Sequence, residues 1–278
     1  MKVLRKMWEL ASSKRDEATA WLLIGAIFFA MRSCEYLATA SEESKRTKVI
    51  RVKNITFKKG SKIVKHDDPN LDKSDLVRIR FEFQKNDKRD ICVHMFRSGD
   101  KILCPVIAWA ATVKRIRNIK DSSDDSKVCI FEEKSGKICE IRADYVRTKL
   151  RSIVDLLGMN ELGFSKEDIG LHSIRSGGAM AMFLSGTSVI IIQRVGRWSS
   201  EAFLEYIRDQ VESFTVGVSK NMVLFEEFFN LDNGEKHPDE SLFHRSVEPE
   251  QNNIDIHKSV DGLDSIPFSI DFSRLAMD

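Results

Sequence analysis

LVRIRFEFQKNDKRDICVHMF, residues 76–96, decides the fold class. Val77, Ile79, Phe81 and Phe83 alternate with Arg78, Arg80 and Glu82, a period of two that puts one face of a strand in a core and the other in water. QKNDKRD (84–90) supplies turn chemistry, and ICVHMF (91–96) alternates again, so the segment reads as a β-hairpin with Lys85 and Asn86 near its tip. VIRVKNITF (49–57) alternates in the same way and adds a third strand, while the polar stretch 58–74, with Gly60, Pro69 and Asn70, reads as a loop. A small three-stranded antiparallel sheet is therefore expected.

The rest carries helical spacing. A first helix is predicted from about Ser13 to Ala38, its apolar middle buried, with Arg32 and Glu35 one turn apart near its end. From 101 onward the pattern is helical, with helices expected over 103–118, 143–157, 173–185, 188–195, 200–208 and about 212–230, punctuated by Gly158, Gly163, Gly170, Gly186 and Gly196. Helices beside a small sheet make the chain α+β and mostly α. After Asn230 the sequence turns polar, with Pro238, Pro249 and Pro267 and no sustained period, and is expected to be largely disordered. Two units follow: a folded body, 1–230, and a tail, 231–278, in which IDIHKSVDGL and IPFSIDF are candidate short docking segments.

The formal net charge of +2 averages over unlike parts. The tail holds eleven acidic and four basic side chains, a balance of −7 that leaves +9 on the body. That asymmetry suits a polyanionic partner, although a solvated surface has the same composition. The five cysteines are odd in number and form no CxxC, which fits reduced thiols inside a cell and argues against a disulfide framework or zinc site. The apolar run Ala18–Met31 is too short to span a bilayer, and no membrane partner is expected. A secretory reading ending at Ala38-Thr39-Ala40 would need a long charged leader and would place Arg32 and Glu35 before the cut, so it is set aside. Cytosol and nucleus both remain open.

The chemistry gathers in LHSIR, residues 171–175. His172 and Arg175, three apart on a first helical turn, share a face, and SGG after them lets a backbone or ligand come close. Alone, HxxR is more often a solvated face or a salt bridge. Arg197, Trp198 and Tyr206 follow, and helix packing could bring them to one cleft with Arg32 and the hairpin lysine. Such a set suits attack on a phosphodiester. Guanidinium forks hold the non-bridging oxygens, imidazole and indole add donors or a proton acceptor, and a tyrosine oxygen is a competent nucleophile. No metal or cofactor is needed. The bland readings are a core ring for Tyr206, a minor helix pair with Glu35 for Arg32, and a packing anchor for Trp198. Lys88 and Arg89 compete with Lys85. Arg194 and Arg197 suit backbone phosphates or plain solvation, as do the clusters Lys45-Arg46-Lys48 and Lys58-Lys59-Lys62-Lys65. Tyr36 and Tyr145 follow no HxxR and read as packing residues.

Arg32 in FFAMRSCEYL, Lys85 in FQKNDKR, HSIR (172–175), GRW (196–198) and LEYI (204–207) together resemble the tyrosine recombinase, or phage-integrase, family, in order and approximate spacing over about residues 15–210. HSIRSGGAMAMFLSG and IIIQRVGRWSSEAFLEYI are most similar to recombinases of eukaryotic mobile elements, the Crypton and DIRS-like group. The resemblance implies a catalytic domain over 1–230 that cleaves DNA through a 3′-phosphotyrosyl link and rejoins it. It implies that Arg32 and Arg175 bind the scissile phosphate, Lys85 is the general acid, His172 a base or donor, Trp198 a hydrogen-bond donor and Tyr206 the nucleophile, with Glu35 steadying Arg32. It further implies double-stranded DNA as partner, a homo-oligomer (a tetramer) on DNA, and a nuclear location if the source is eukaryotic. Trp198 and Tyr206 are eight residues apart, one fewer than in bacterial members. The chain opens almost directly on the Arg32 helix, so the family's N-terminal clamp domain is expected to be missing here, which leaves a fragment, a degenerate copy and an enzyme dependent on a clamp-domain partner as the alternatives. The related type IB topoisomerases and a recombinase-derived protein that only binds DNA are the rival expectations.

Overall fold

The computed structural model describes residues 1–38, 47–83 and 89–198. Tyr206, Lys85, the helices expected at 200–208 and 212–230, and the acidic tail lie outside the described residues.

Four strands form an antiparallel sheet in the order β2-β1-β3-β4: β1 (Ile55–Lys59), β2 (Lys62–Val64), β3 (Leu76–Phe83) and β4 (Arg89–Phe96). The register pairs Ile79 with both Ile55 and Val93, and Phe81 with Ile91, so alternate residues Phe57, Val77, Ile79, Phe81 and Val93 enter the core together. The expected sheet of three strands gains β2, a three-residue strand turned back at Gly60, whose φ of +56° suits a residue without Cβ. Three residues are too few to show a period. The expected strand 49–57 is shorter than read, because Val52–Asn54 form a 3-10 turn and regular pairing begins at Ile55.

Helices cover the sheet. α1 (Lys2–Glu9) buries Leu4 and Met7 and packs against α2 (Lys14–Phe28) and α5 (Ala143–Leu157); it was not expected from the sequence. α2 packs on α4 (Pro105–Arg117), and α4 on β3 and β4. Trp109 of α4, fully buried, meets Phe29 edge to face at 6.4 Å and lies over Gly25, where an added Cβ would come within 2.9 Å of the indole. This contact, α2 on α4 through a glycine notch, lies in one continuous core that also takes in α1, the sheet and α5.

α2 starts on Ser13, which caps the Asp16 amide at 3.0 Å. Asp16 also accepts from Ser13 Oγ, Tyr145 Oη and Lys149 Nζ, each at 2.6 Å, tying the start of α2 to α5. The predicted helix from Ser13 to Ala38 does not run through. α2 stops at Phe28, Ala30 turns left-handed at φ +42°, and a short helix α3 (Ser33–Tyr36) restarts on Arg32. No glycine or proline marks the break; its cause lies in distant arginines.

Beyond α4 the expectation of helix alone is corrected by a hairpin, β5 (Ile130–Glu132) and β6 (Ile138–Glu140), whose strands are again too short to show alternation. α6 (Met159–Leu162), α7 (Ser173–Leu184) and α8 (Val189–Gly196) complete the order among the described residues. α7 packs on α2 because Gly178 has no side chain: a Cβ there would lie 2.3 Å from the Ile27 carbonyl oxygen. The SGG run thus admits a backbone.

Candidate active site

The α2–α3 corner presents the carbonyls of Phe29 and Ala30, which no helical amide caps after the chain turns. Two guanidinium groups take that role. Arg175, on the first turn of α7, donates Nη1 to the Ala30 carbonyl and Nη2 to the Gly196 carbonyl at 2.8 Å. Arg197 donates Nη1 to the carbonyls of Phe29 (3.0 Å) and Val195 (2.9 Å), and Nη2 to Glu35 Oε2 at 2.7 Å. Both arginines are 3% exposed. Together they staple the corner to the C-terminal turn of α8.

Glu35 is the anion that makes this burial tolerable. Besides Arg197 it receives the Arg32 backbone amide at 2.8 Å and Arg32 Nη1 at 3.3 Å. Burial lowers the Arg197 pKa, and the Glu35 carboxylate opposes that shift, keeping the guanidinium charged. Arg197 Cζ also sits 3.6 Å from the centre of the Phe81 ring, which joins the sheet to the corner. Arg32 has a different station: its side chain keeps 21% of its surface in water while one nitrogen rests on Glu35.

His172 is the residue before α7 and is exposed to solvent. Its pKa falls below the ordinary histidine value, first through desolvation by its surroundings, then through the positive charges of Arg175 and Arg32. The ring is therefore neutral at pH 7.

Trp198 follows Arg197, which takes the left-handed conformation at φ +60°, ψ +39° and turns the chain back over α8. Its indole lies on Gly196, where a Cβ would sit 1.4 Å from the ring, and stacks on Arg175, with Cζ 4.0 Å from the ring centre. The other face of this region packs with Ala179 and Ile192. Each residue of GRW thus has a local cause: glycine for the ring above it, arginine for the turn, tryptophan for the stack.

Of the six residues singled out from the sequence, Arg32, His172, Arg175 and Trp198 come together at this corner; Lys85 and Tyr206 lie outside the described residues. Tyr36 is fully buried and its phenol is pushed far above the usual range by burial and by Glu35. Tyr145 donates to Asp16, and desolvation with that carboxylate raises its pKa as well. Neither is poised to ionise. Arg197 was open between phosphate contact and solvation, and the structure corrects both: it is wholly interior. Its only local signal is an arginine between a helix-ending glycine and a tryptophan, which gives no burial.

Among the described residues no group of three His, Cys, Asp or Glu side chains is placed to hold a metal ion, and no helix is long and apolar enough to cross a membrane. A cleft of about 580 Å³ opens beside the corner, lined by Lys48, Arg51, Lys53, Arg80 and Lys127 with Glu82 and Asp125 among them.

No protein-family model and no curated protein matches the chain. Among solved structures it is similar to the XerH site-specific recombinase bound to palindromic difH substrate in a post-cleavage complex, with a TM-score of 0.48 and 16% identity over 78% of this chain. The chain spans half the length of that protein, and at this distance the likeness assigns neither family nor activity.

Proposed function

We propose that the protein is a tyrosine-type DNA strand transferase that cleaves and rejoins duplex DNA at specific sites, as in the integration or excision of a mobile element. The observation that carries this reading is the convergence of Arg32, His172, Arg175 and Trp198 at one corner, Arg32 lying 140 (172 − 32) to 166 (198 − 32) residues before the others. A neutral imidazole next to two guanidinium groups is a proton acceptor beside an anion site. In the proposed reaction Arg32 and Arg175 hold the non-bridging oxygens of the scissile phosphate and stabilise charge as it builds there. Tyr206 Oη attacks phosphorus while its proton passes to His172, the bond to the 5′ oxygen breaks, and Lys85 protonates that oxygen. The product is a 3′-phosphotyrosyl link and a free 5′-hydroxyl, and the same steps reversed on a second strand complete exchange. Trp198 Nε1–H is the remaining donor. Function in a DNA-bound tetramer belongs to the same proposal.

One observation favours a second reading. Arg175 is nearly buried, its two carbonyl bonds serve the fold, and the Trp198 ring covers one face. A protein that keeps the corner as a structural relic would bind duplex DNA and never cleave it. The deciding experiment incubates the full chain with nicked duplex carrying the sequence that flanks its own gene, followed by a denaturing gel. A covalent protein–DNA band that disappears in Tyr206→Phe and Arg175→Ala supports strand transfer. Salt-sensitive duplex binding without a band refutes it in favour of the relic.

A further inference from the structure

Arg197 is a fully buried charged side chain at the corner that the proposed reaction leaves without a role. Its side chain has no exposed surface, and it is paired with a carboxylate that is 1% exposed. Its guanidinium makes three hydrogen bonds and one ring contact, and leaves one N–H unpaired. Nη1 spans the carbonyls of Phe29 and Val195, Nη2 holds Glu35, the plane lies on Phe81, and Nε is buried without a hydrogen-bond partner. The backbone of Arg197 is itself left-handed, a conformation that costs a non-glycine residue about 1 kcal/mol or more and persists only where the surroundings impose it. The two facts have one cause. A side chain anchored behind its own turn forces the turn, and the turn delivers Trp198 onto Arg175.

We propose that Arg197 is a positioning residue: it sets Trp198 on Arg175 and, through Glu35, sets Arg32. The role deepens the strand-transfer reading, on which its catalytic consequence rests. Lysine cannot substitute. It carries the charge for Glu35, but its point-like ammonium lacks the planar fork that bridges two carbonyls and a carboxylate at once.

The test follows the free chain, residues 1–278, by NMR, with the Trp198 indole N–H assigned by Trp198→Phe. Stacking places the Arg175 Cδ protons in the ring current of Trp198 and shifts them upfield. The Trp109 indole, packed on Gly25 and Phe29 in the core, reports the fold. In Arg197→Met and Arg197→Lys we expect the Arg175 shift to be lost and the Trp109 signal to stay. Retention of the Arg175 shift in Arg197→Met overturns the proposal. So does joint loss of both signals with full recovery of both in Arg197→Lys, since Arg197 would then only hold the fold through its charge. With nicked duplex, covalent adduct should form about 100-fold more slowly in both variants at saturating DNA, with duplex affinity unchanged, the scale expected when a reacting group is misplaced by about 1 Å. If the wild type makes no adduct while the Arg175 shift depends on Arg197, strand transfer fails as a reading and the positioning role stands.

Discussion

Replacing Glu35 by Gln removes one charge and almost nothing else. Oε2 accepts both the Arg32 amide (2.8 Å) and Arg197 Nη2 (2.7 Å), and an amide oxygen in that place keeps both bonds. The new NH2 group faces Arg32 Nη1, whose 3.3 Å contact is the weakest of the three and whose side chain can turn to water. What remains is Arg197, buried beside no anion. Breaking a buried pair by removing one partner costs about 3–5 kcal/mol, most of it the solvation the stranded charge never recovers. Against a total stability of about 5–15 kcal/mol for a folded domain, the variant should be marginal. Arg197→Met strands Glu35 less severely, since Arg32 still neutralises it, and the double variant strands no charge, its loss of the Phe29 and Val195 carbonyl bonds being shared with Arg197→Met. The double-mutant cycle should therefore close with a coupling energy of about 2 kcal/mol or more. Urea unfolding followed by far-ultraviolet circular dichroism reads each value. A loss below about 1 kcal/mol in Glu35→Gln, or additivity within about 0.5 kcal/mol, would show that water reaches the pair and would refute the buried-staple account.

Three further outcomes are expected. His172 should titrate below 6.5 by NMR in the free chain and move upward when inorganic phosphate is added, because an anion between Arg32 and Arg175 cancels the charges that lower it; an unchanged midpoint would deny an anion site there. The carboxyl of Asp16 is held far below the usual carboxylate range by Lys149, Ser13 and Tyr145, against desolvation, so its contribution is present above about pH 4 and is lost as pH falls toward its folded value. Asp16→Asn should cost about 1–2 kcal/mol at pH 7, with Lys149 contributing little from its 35% exposed position, and the cost should vanish in acid. Gly178→Ala should cost about 1–3 kcal/mol, since its Cβ meets a backbone oxygen that cannot swing aside; an unaltered urea midpoint would mean that α7 does not lie against α2 as described.

Strong periodicity was readable. α5 spans Ala143–Leu157, the limits its apolar spacing predicts, and β3 and β4 form the hairpin that alternation demands. What escaped reading has no periodic or local signal. β2, β5 and β6 are three residues each. The break after α2 falls in an apolar run with no glycine or proline at the turn, and is held by side chains from α7 and the end of α8. The candidate site divides the same way. His172 and Arg175 declare themselves by spacing, whereas the burial of Arg197 depends on a glutamate 162 positions earlier.

The staples also impose an order in time. The Phe29 carbonyl waits for a guanidinium 168 residues downstream. At about 5–20 residues per second a ribosome needs roughly 8–34 s to cover that distance, far longer than a helix needs to form. During that interval α2 can pack on α4 through Gly25 and Trp109, but its last turn has nothing to end it. The sheet and the α2–α4 core are thus a nascent platform, and the corner closes on it only when the end of α8 arrives. Synthesis therefore delivers the arginine staples of the corner only after the scaffold that must hold them in shape.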